Sequence, residues 1–533
     1  MDDRSAILRL GIIIDSFVQP RWVRRSLEKV LASGLAQIDL VVKVEPQNGR
    51  PGLLYNLYNR LDRSLFEADA LEPVSIEDLL ASAQVVNDAA GAGLDVLVNF
   101  SHPNLNARFA TAAKHGVWFY SFGDAPGFQE VSKGLPITHS SVRALAGNTE
   151  SVVYESTAPT LSRFSVRLNN NTCYWKSAAF LARGLQDLYA KRDVPKNVTD
   201  VAVSQSPGNA AMTQMFLRLS GRAAARAFEK LSSREQWVLA YQINAGEFHY
   251  LVPPVGRFWA DPFPLKVDGK YYIFFEDYVN ELGRAHIAVF EVDEKGIVNG
   301  PTEVLKLDCH LSYPFVFEWQ GDYYMIPEMG HRNVVELYRS VSFPFEWRPE
   351  KVLLEIDRPL DATVVDIDGT WWMFVNIEEK GVAVNWDELH LYYSDSLFGP
   401  WKPHARNPIV SDVRSARPAG RIFWSDDALY RPSQDSSLRY GYATTINKIT
   451  ELSAVAYNET EVVKLLPDWD DNIIGIHTLN FLDGLTVIDC LTKRKRTGNV
   501  KFGSPKRSLD RLKLANIEVS GEAKSNLVSK VNI

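Results

Sequence analysis

Residues 258–278, FWADPFPLKVDGKYYIFFEDY, contain an aspartate that opens a short apolar strand, an Asp-Gly turn and an aromatic strand that runs back. The pattern recurs at intervals of about 48 to 58 residues, which is typical of a repeat architecture. The strands that follow the turns are YYIFFE (271–276), YYMIPE (323–328), WWMFVN (371–376), ALYRPS (428–433) and LTVIDC (485–490). Each copy has room for four short strands, so the sequence predicts a five-bladed β-propeller over residues 236–492.

The composition is that of an ordinary globular protein, with 46% hydrophobic and 23% charged residues in a chain of 533. A formal net charge of −7 gives no reason to expect a nucleic-acid partner. The three cysteines show neither a disulfide pattern nor the spacing of metal ligands. Because the N-terminus has no basic signal region and no stretch approaches the ~18 apolar residues of a membrane span, we expect a cytoplasmic protein.

The first third of the chain alternates apolar runs with helical patterns. The runs lie at 7–14, 38–44, 94–100 and 116–122, and the helical patterns follow Pro20 and cover 52–65, 76–90 and 104–114. Strands that are apolar throughout and alternate with helices predict an α/β domain with a parallel sheet, here assigned to residues 1–195. No phosphate-binding loop follows any strand, so a dinucleotide is not expected.

A helical linker is predicted over residues 196–235, between the α/β domain and the propeller. Within it, Arg218, Arg222 and Arg226 recur on one helical face. This basic face is either simply solvated or meets a phosphate or an anionic lipid.

Residues 116–145 resemble the formyltransferase-like family, through Gly116-Val117 and the segment GLPIT at 134–138. The family's catalytic asparagine and histidine are replaced here by Phe119 and Ser121, neither of which can shuttle a proton near neutral pH. The resemblance therefore implies a formyltransferase-like domain that has lost this chemistry or binds substrate.

The residues that open the propeller repeats should converge at the axis, because the first strand of each blade lines the central channel. They are Asp261, Ser312 to Pro314, Asp361, Arg417 and His477. Two carboxylates, a guanidinium and an imidazole in one funnel indicate a site for a polar ligand. The alternative is a structural axis held together by hydrogen bonds.

The propeller segment also resembles known families. WADPF (259–263) and DGKYY (268–272) are similar to the five-bladed glycosidase propellers that cleave arabinofuranosides and xylosides. YMIPE (324–328), YRPSQDSSLRYGYA (430–443) and GIHTLNF (475–481) extend the similarity to the N-terminal domain of plant glucosamine inositolphosphorylceramide transferases, and to bacterial proteins that join this propeller to a formyltransferase-like domain. The resemblance covers residues 240–490.

In those glycosidases a blade-one aspartate is the base, a blade-three aspartate tunes pKa values and a blade-four glutamate is the acid. The resemblance places the first two roles on Asp261 and Asp361, whereas Arg417 stands in the position of the acid. Arginine does not titrate in the required range, which argues against simple hydrolysis. It suits a phosphate, so the resemblance implies a transferase in which Asp261 is the base and Arg417 with Arg431 binds the leaving group of an activated sugar donor.

Other polar residues are further candidates for substrate binding, each with a structural alternative. Glu276 and Glu328 end equivalent strands and are assigned to sugar hydroxyls, while Gln434 and Asp435 either orient Arg431 or contact the ligand. By the glycosidase resemblance, His477 is the funnel histidine that coordinates a divalent cation or water. No cofactor is otherwise implied beyond the activated sugar donor.

The C-terminal segment 493–533 begins with a strongly basic stretch over 493–513 and is predicted to be a disordered tail. One interpretation is peripheral contact with the anionic inner face of a membrane, and the other is ordinary solubility.

The leading functional hypothesis is a transferase, specifically a glycosyltransferase, of cell-surface polysaccharide or glycolipid biosynthesis. Its active site lies in the propeller funnel, and its substrate is a carbohydrate or a lipid-linked glycan. The alternatives are a furanosidase-like glycoside hydrolase and a non-catalytic glycan-binding protein.

Overall fold

The computed structural model describes residues 7–46, 52–122, 126–190, 196–197, 207–244, 246–379, 384, 386–425, 427–495 and 502–503. Their contacts divide the chain into two compact units, with the division between Ala225 and Arg226. Among the described helices, none combines the length and the apolarity needed to cross a bilayer.

The N-terminal unit is an α/β domain, as predicted. Its strands are β1 (Leu8–Ile14), β2 (Val18–Pro20), β3 (Ala36–Lys43), β4 (Pro73–Ser75), β5 (Gln84–Val86), β6 (Val96–Asn99), β7 (Val117–Ser121), β8 (Ile137–Ala146), β9 (Thr149–Pro159) and β10 (Lys196–Asn197). Its helices are α1 (Arg21–Ala32), α2 (Leu53–Leu65), α3 (Asn106–Phe109), α4 (Phe128–Lys133), α5 (Val166–Ser177) and α6 (Phe180–Tyr189), followed by α7 (Asn209–Ser232).

The main sheet has the order β10-β9-β8-β7-β6-β1-β3-β5, and β2 and β4 form a separate pair. The strands from β7 to β5 are parallel to one another, whereas β8, β9 and β10 are antiparallel to their neighbours. The sheet is therefore mixed rather than wholly parallel. Its apolar strands are buried against α1 and α6, with Trp22, Leu27 and Phe180 in the core.

Two helices predicted in this unit are wrong. Residues 76–90 form only a 3-10 turn at Asp78–Leu80 and then the edge strand β5. Residues 104–114 contain only the end of a 3-10 turn at Pro103–Leu105 and the single helical turn of α3. In the first case Val85 and Val86 pair in parallel with Val41 and Val42 of β3, so the sheet edge overrides the local helical pattern.

The predicted linker helix is packed against the N-terminal unit along its first turns. Met212 and Met215 of α7 are fully buried beside Phe128 and Val131. The guanidinium of Arg222 donates to the carbonyl oxygens of Val131 and Ser132, at the C-terminal end of α4. The carbonyl oxygens at a helix end lack partners within the helix, and the cationic side chain of Arg222 supplies them here. Arg222 is therefore neither simply solvated nor directed at a phosphate or lipid.

The C-terminal unit is the predicted five-bladed propeller. Blade one comprises β13 (Arg257–Val267), β14 (Lys270–Val279), β15 (Arg284–Asp293) and β16 (Gly296–Leu305); blade two comprises β17 (Ser312–Trp319), β18 (Asp322–Glu328), β19 (Val334–Ser342) and β20 (Glu346–Glu355). Blade three comprises β21 (Pro359–Ile367), β22 (Thr370–Ile377), β23 (Leu389–Ser394) and β24 (Lys402–Pro403); blade four comprises β25 (Phe423–Ser425), β26 (Ala428–Asp435), β27 (Ala443–Leu452) and β28 (Tyr457–Leu465).

Blade five is completed by a strand from before blade one. It contains β29 (Ile473–Gly475), β30 (Leu479–Leu482) and β31 (Leu485–Lys495), and β31 pairs along its whole length with β11 (Ser233–Ile243), next to β12 (His249–Leu251). A strand that precedes blade one therefore closes the ring. Because β11 covers this side of β31, the strand has no unpaired edge there that could pair with another chain.

Some residues of the predicted tail are ordered parts of the propeller. Residues 493–495 belong to β31 rather than to a disordered segment. Phe502 stacks on Tyr250, and Gly503 donates its backbone N–H to Asp470 at 2.6 Å. These residues are therefore held against the propeller, and the remainder of the predicted tail lies outside the described residues.

Candidate active site at the hub of the propeller

In each of the first three blades, the first strand is distorted where it reaches the axis of the ring. We call this axial region the hub. The pairing of the first and second strands shifts register after Ala260, after Ser312 and after Leu360. The residue that follows each of these positions has a positive φ, 52° for Asp261, 43° for Tyr313 and 54° for Asp361. Non-glycine residues rarely adopt this conformation, and bulges of this kind commonly re-aim side chains at functional sites.

Asp261, His477 and Asp489 form the first buried cluster of the hub. Asp261 Oδ1 lies 3.2 Å from Nε2 of His477, and Asp489 Oδ2 lies 2.8 Å from Nδ1 of the same ring. Asp261 also accepts hydrogen bonds from the Thr478 hydroxyl at 2.6 Å and from the Tyr313 backbone N–H at 3.1 Å. The imidazole is thus held between two carboxylates.

The protonation of this cluster follows from its burial and its charges. Burial alone lowers the pKa of His477, but Asp489 and Asp261 outweigh it and raise the pKa above the usual 6.5. Burial raises the pKa of Asp261 above its usual value, and the positive charge of His477 opposes this rise. The raised pKa of His477 favours the imidazolium cation, whereas the raised pKa of Asp261 shows that burial opposes the ionisation of that carboxyl group.

Asp261, His477 and Asp489 are also the residues that would coordinate the predicted divalent cation. Their ligand atoms lie within 4.8 Å of one another, which is compatible with shared coordination. However, both ring nitrogens of His477 face carboxylates, and Asp489 accepts the backbone N–H groups of Asp261, His477 and Thr478. Asp489 is thus committed to backbone N–H groups, whereas Nδ1 of His477 forms no hydrogen bond of standard geometry despite its 2.8 Å distance from that carboxylate. The divalent cation stays a prediction.

Asp361 and Arg417 form the second buried cluster. Arg417 donates from Nε to Asp361 Oδ2 at 2.6 Å and from Nη2 to Oδ1 at 3.3 Å, and Gln434 Nε2 also donates to Asp361 Oδ2 at 3.3 Å. Burial raises the pKa of Asp361 to about 6, although Arg417 opposes the shift. Among the described protein atoms, Gln434 Oε1 is buried without a hydrogen-bond partner, which suits a ligand hydroxyl or a water molecule.

Tyr440 connects the two clusters. Its ring centroid lies 5.4 Å from that of His477 and 5.1 Å from the guanidinium carbon of Arg417. Because the ring touches one member of each cluster, the four residues predicted to converge form a single charged group at the hub.

Glu276 and Glu328 take equivalent positions on the second strands of blades one and two. They lie opposite Ala260 and Ser312, the residues that precede the bulges. Glu328 accepts hydrogen bonds from the Ser312 hydroxyl and the Gly330 N–H, both at 2.6 Å, and is thus held by its own blade.

Glu276 is nearly fully buried and lies beside His310, with 3.4 Å between its Oε1 and Nε2 of that ring. His310 Nδ1 accepts the backbone N–H of Ala285, so in the neutral ring the proton is on Nε2 and points towards Glu276. Burial, with the nearby Asp261 and Glu328, raises the pKa of Glu276 well above 4.5. Burial therefore favours the protonated form of the Glu276 carboxyl group.

Two predicted ligand-binding residues are directed elsewhere. Arg431 is 1% exposed and donates to both carboxylate oxygens of Glu459, at 2.6 and 2.9 Å, and to the Ser415 carbonyl. Asp435 lies 2.9 Å from Nζ of Lys464 on β28. The prediction that Arg431 joins Arg417 at the leaving group is therefore wrong, because its burial inside blade four requires a counter-ion there. Neither Gln434 nor Asp435 is hydrogen-bonded to it.

A cavity of about 500 Å³ lies beside the hub, between blades one and five. Its lining includes Arg234, Trp237, Arg257, Phe258, Arg439 and Tyr440. The ring centroid of Trp237 lies 4.3 Å from that of His477. Trp237 and Tyr440 therefore contact His477 and also face the cavity.

Several hub residues were not predicted from the sequence, namely Asp489, His310, Tyr440 and Trp237. The sequence did contain a signal for Asp489, because it is an acidic residue inside the apolar strand LTVIDC. It lies one position before the place that Glu276 and Glu328 take in their own repeats. His310 lies two residues before the strand of blade two and carried no comparable signal.

Residues 244–471 match the family described as glucosamine inositolphosphorylceramide transferase 1, N-terminal. Proteins named glucosamine inositolphosphorylceramide transferase 1 from rice (Oryza sativa subsp. japonica) and Arabidopsis thaliana are 38% identical over 214 and 210 residues, which is 39% of this chain in each case. The matched segment spans 28% of the rice protein and 27% of the Arabidopsis protein.

Among solved structures, a β-xylosidase aligns with 47% of this chain and 95% of its own, at 14% identity and a TM-score of 0.34. An exo-1,5-α-L-arabinanase from a bovine ruminal metagenomic library aligns with 46% of this chain and 95% of its own, at 16% identity and a TM-score of 0.31.

Proposed function

We propose that this chain is a glycosyltransferase of glycolipid or cell-surface polysaccharide biosynthesis, with its active site at the hub of the propeller. The observation that carries the proposal is the 38% identity to proteins named as transferases, combined with a family match over 244–471 that includes Asp261, Asp361 and Arg417. The proposed substrate is a glycan or a lipid-linked glycan, and the proposed donor is an activated sugar.

Asp261 is the proposed base, which accepts the proton of the acceptor hydroxyl as that oxygen attacks the sugar. Thr478 and the backbone N–H of Tyr313 fix the orientation of its carboxylate. Burial raises the pKa of Asp261 and so makes it a stronger base than an exposed aspartate, while the charge of the neighbouring His477 opposes this rise. The strained backbone at this residue is consistent with a position selected for chemistry.

Arg417 and Asp361 are proposed to set the electrostatics of the site rather than to bind the leaving group. The resemblance implied that Arg417 meets a phosphate, but two of its nitrogens donate to Asp361 and Tyr440 lies against the guanidinium. A guanidinium whose charge is neutralised in this way attracts a second anion, such as a phosphate, only weakly. Positive charge for a departing phosphate must then come from other residues.

A location at the cytoplasmic face of a membrane remains part of the proposal, since lipid-linked substrates are found there. The basic stretch 493–513 would supply the contact with anionic lipid. Most of this stretch lies outside the described residues.

Glycoside hydrolysis is a second candidate, favoured by one specific observation. Hydrolysis requires a proton donor at the leaving oxygen, and Glu276 is a buried carboxyl with a strongly raised pKa in the same hub as Asp261. In that function Asp261 would act as the base and Glu276 as the acid.

A single assay separates these functions. The full chain is incubated with nucleotide sugars and an inositol-phosphate glycolipid, and in parallel with aryl arabinofuranosides and xylosides. We expect sugar transfer that requires both donor and acceptor, and release of the free sugar by water from the aryl glycosides would instead establish the hydrolase. Glycan binding without turnover in either arm, unaffected by Asp261→Asn, would establish a non-catalytic binding protein.

A further inference from the structure

We propose that the cavity between blades one and five binds the phosphate group of a phosphorylated sugar or cyclitol. This inference rests on the proposed function, because it assigns a place beside the hub to the phosphate-bearing part of a substrate. We call the cavity, with Arg234, Arg257 and Arg439 in its wall, the arginine cavity.

The charges of the arginine cavity are only partly compensated. Arg439 forms an ion pair with Glu235, with contacts of 2.6 and 3.2 Å. Arg257 pairs with Asp277, which is 2% exposed and is therefore hidden behind it. Arg234 is exposed and has no ion pair among the described residues. Three guanidinium groups against two carboxylates leave a net positive wall, and the planar guanidinium fork matches phosphate oxygens.

The same cavity offers aromatic surface for a ring next to the phosphate. Trp237, Phe258 and Tyr440 line it, and Phe258 is held in place by stacking on Tyr278 at 4.5 Å with an interplanar angle of 7°. Its volume of about 500 Å³ lies within the range of roughly 300 to 1,000 Å³ that is usual for small-molecule sites. Cationic and aromatic groups together favour a phosphorylated ring over inorganic phosphate.

The arginine cavity is adjacent to the proposed chemistry. Trp237 and Tyr440 contact His477 from the cavity side, and His477 contacts Asp261. A phosphate among the arginines would therefore be separated from Asp261 by one layer of side chains. Arg234 and Glu235 precede the matched segment 244–471, so this part of the wall lies outside the family resemblance.

The first experiment is calorimetric titration of the full chain at low salt with two pairs of probes. One pair is myo-inositol 1-phosphate and myo-inositol, and the other is UDP-N-acetylglucosamine and N-acetylglucosamine. We expect at least one phosphorylated probe to bind at least about ten-fold more tightly than its neutral partner. Preference for the inositol phosphate would assign the cavity to an acceptor headgroup, and preference for the UDP-sugar would assign it to the donor. Equal affinities within both pairs would overturn the proposal.

The second experiment uses variants with effects of opposite sign. Arg439→Gln should weaken binding of the preferred phosphorylated probe by about ten-fold, whereas Glu235→Gln should strengthen it, since it frees Arg439. Arg348→Gln, on the exposed outer strand β20, is the matched control and should leave affinity unchanged. A local loss of folding cannot produce both signs. Unchanged affinity in Arg439→Gln, or weaker binding in Glu235→Gln, would overturn the proposal.

The binding experiments do not depend on turnover, which separates the two proposals. If the signed pattern appears and no sugar transfer is detected, the phosphate site stands and the proposed function fails. If transfer is detected and the probes do not discriminate, the proposed function stands and the phosphate site fails.

Discussion

Two buried arginine–carboxylate pairs, one at the hub and one inside blade four, have the same chemistry and different surroundings. Arg417 with Asp361 and Arg431 with Glu459 are each bidentate, and both arginines are nearly inaccessible to solvent. Around Arg431, the Ser415 carbonyl accepts from Nη2 and the Tyr457 hydroxyl donates to Glu459, while Nη1 has no hydrogen-bond partner among the described protein atoms. Around Arg417, the neighbours are Tyr440 and Gln434, whose carbonyl oxygen has no described protein partner.

The comparison shows that a buried ion pair is not in itself evidence of function. Removing two charges from water is costly, so each buried arginine in this propeller needs a counter-ion wherever it lies. What differs is the setting of each pair, since only the Arg417 pair is connected to other titratable groups at the axis. The predictions that follow test whether the hub differs from the blade interior in activity and not only in stability.

The largest expected effect comes from the proposed base. Asp261→Asn should lower the rate of sugar transfer by roughly 10² to 10⁴-fold, since an amide cannot accept the proton. The matched control is Asp435→Asn, which changes a buried aspartate in blade four that pairs with Lys464. Steady-state kinetics on both variants, with folding checked by circular dichroism, measures the difference. Equal rates in Asp261→Asn and the unchanged protein would remove Asp261 from the mechanism.

The second prediction concerns stability. Arg431→Met should destabilise the propeller by about 3–5 kcal/mol, because Glu459 would remain buried without its counter-charge. Its activity per folded molecule should be unchanged, whereas Arg417→Met should lose both stability and activity. Urea denaturation followed by assays below the unfolding transition separates the two effects. Similar activity losses in both variants would show that the hub pair has no special role.

The third prediction sharpens the assignment of the hub carboxyl groups. Glu276→Gln should lower sugar transfer by less than about ten-fold, because a donor with a phosphate leaving group needs no acid. If the protein is instead a hydrolase, the same change should remove most activity towards aryl glycosides with poor leaving groups. Comparison of leaving groups of different pKa measures this. Glu328→Gln, at the equivalent position of blade two, is the matched variant.

The smallest expected effect is a pH dependence of stability with opposite signs for two hub histidines. The folded-state pKa of His477 is raised, so its contribution is fully present below pH 6.5 and is lost as the pH rises through the folded-state value. Burial lowers the folded-state pKa of His310, so the unfolded chain binds this proton more readily and the folded protein loses stability as the pH falls below 6.5. Proton NMR titration, assigned with His477→Gln and His310→Gln, measures both. Two unshifted histidines would contradict the described hub.

The fold was predictable where local chemistry decided it. Asp268-Gly269 and the equivalent turns require positive φ, and the strands around them follow directly, which predicted the five blades. The sheet edge at Val85 and Val86 was not predictable, because its pairing partner is supplied by a distant segment.

The site was predictable in part. Asp261 and Asp361 are placed by their position in the repeat, which can be read from one blade. Arg431 was assigned wrongly because the sequence does not contain the position of Glu459, two strands away. His310 and Asp489 depend on partners from elsewhere in the ring, and such pairings exist only once the blades are assembled.

The seam between β11 and β31 has a consequence for biosynthesis. As the polypeptide leaves the ribosome, β11 appears before any blade, and its partner β31 appears only after the fourth blade has been translated. Until then the nascent chain exposes an unpaired strand edge, the kind of surface that chaperones shield. The seam can therefore join only after β31 has been made, and the hub, which takes His477 and Asp489 from the final blade, cannot be completed before that point.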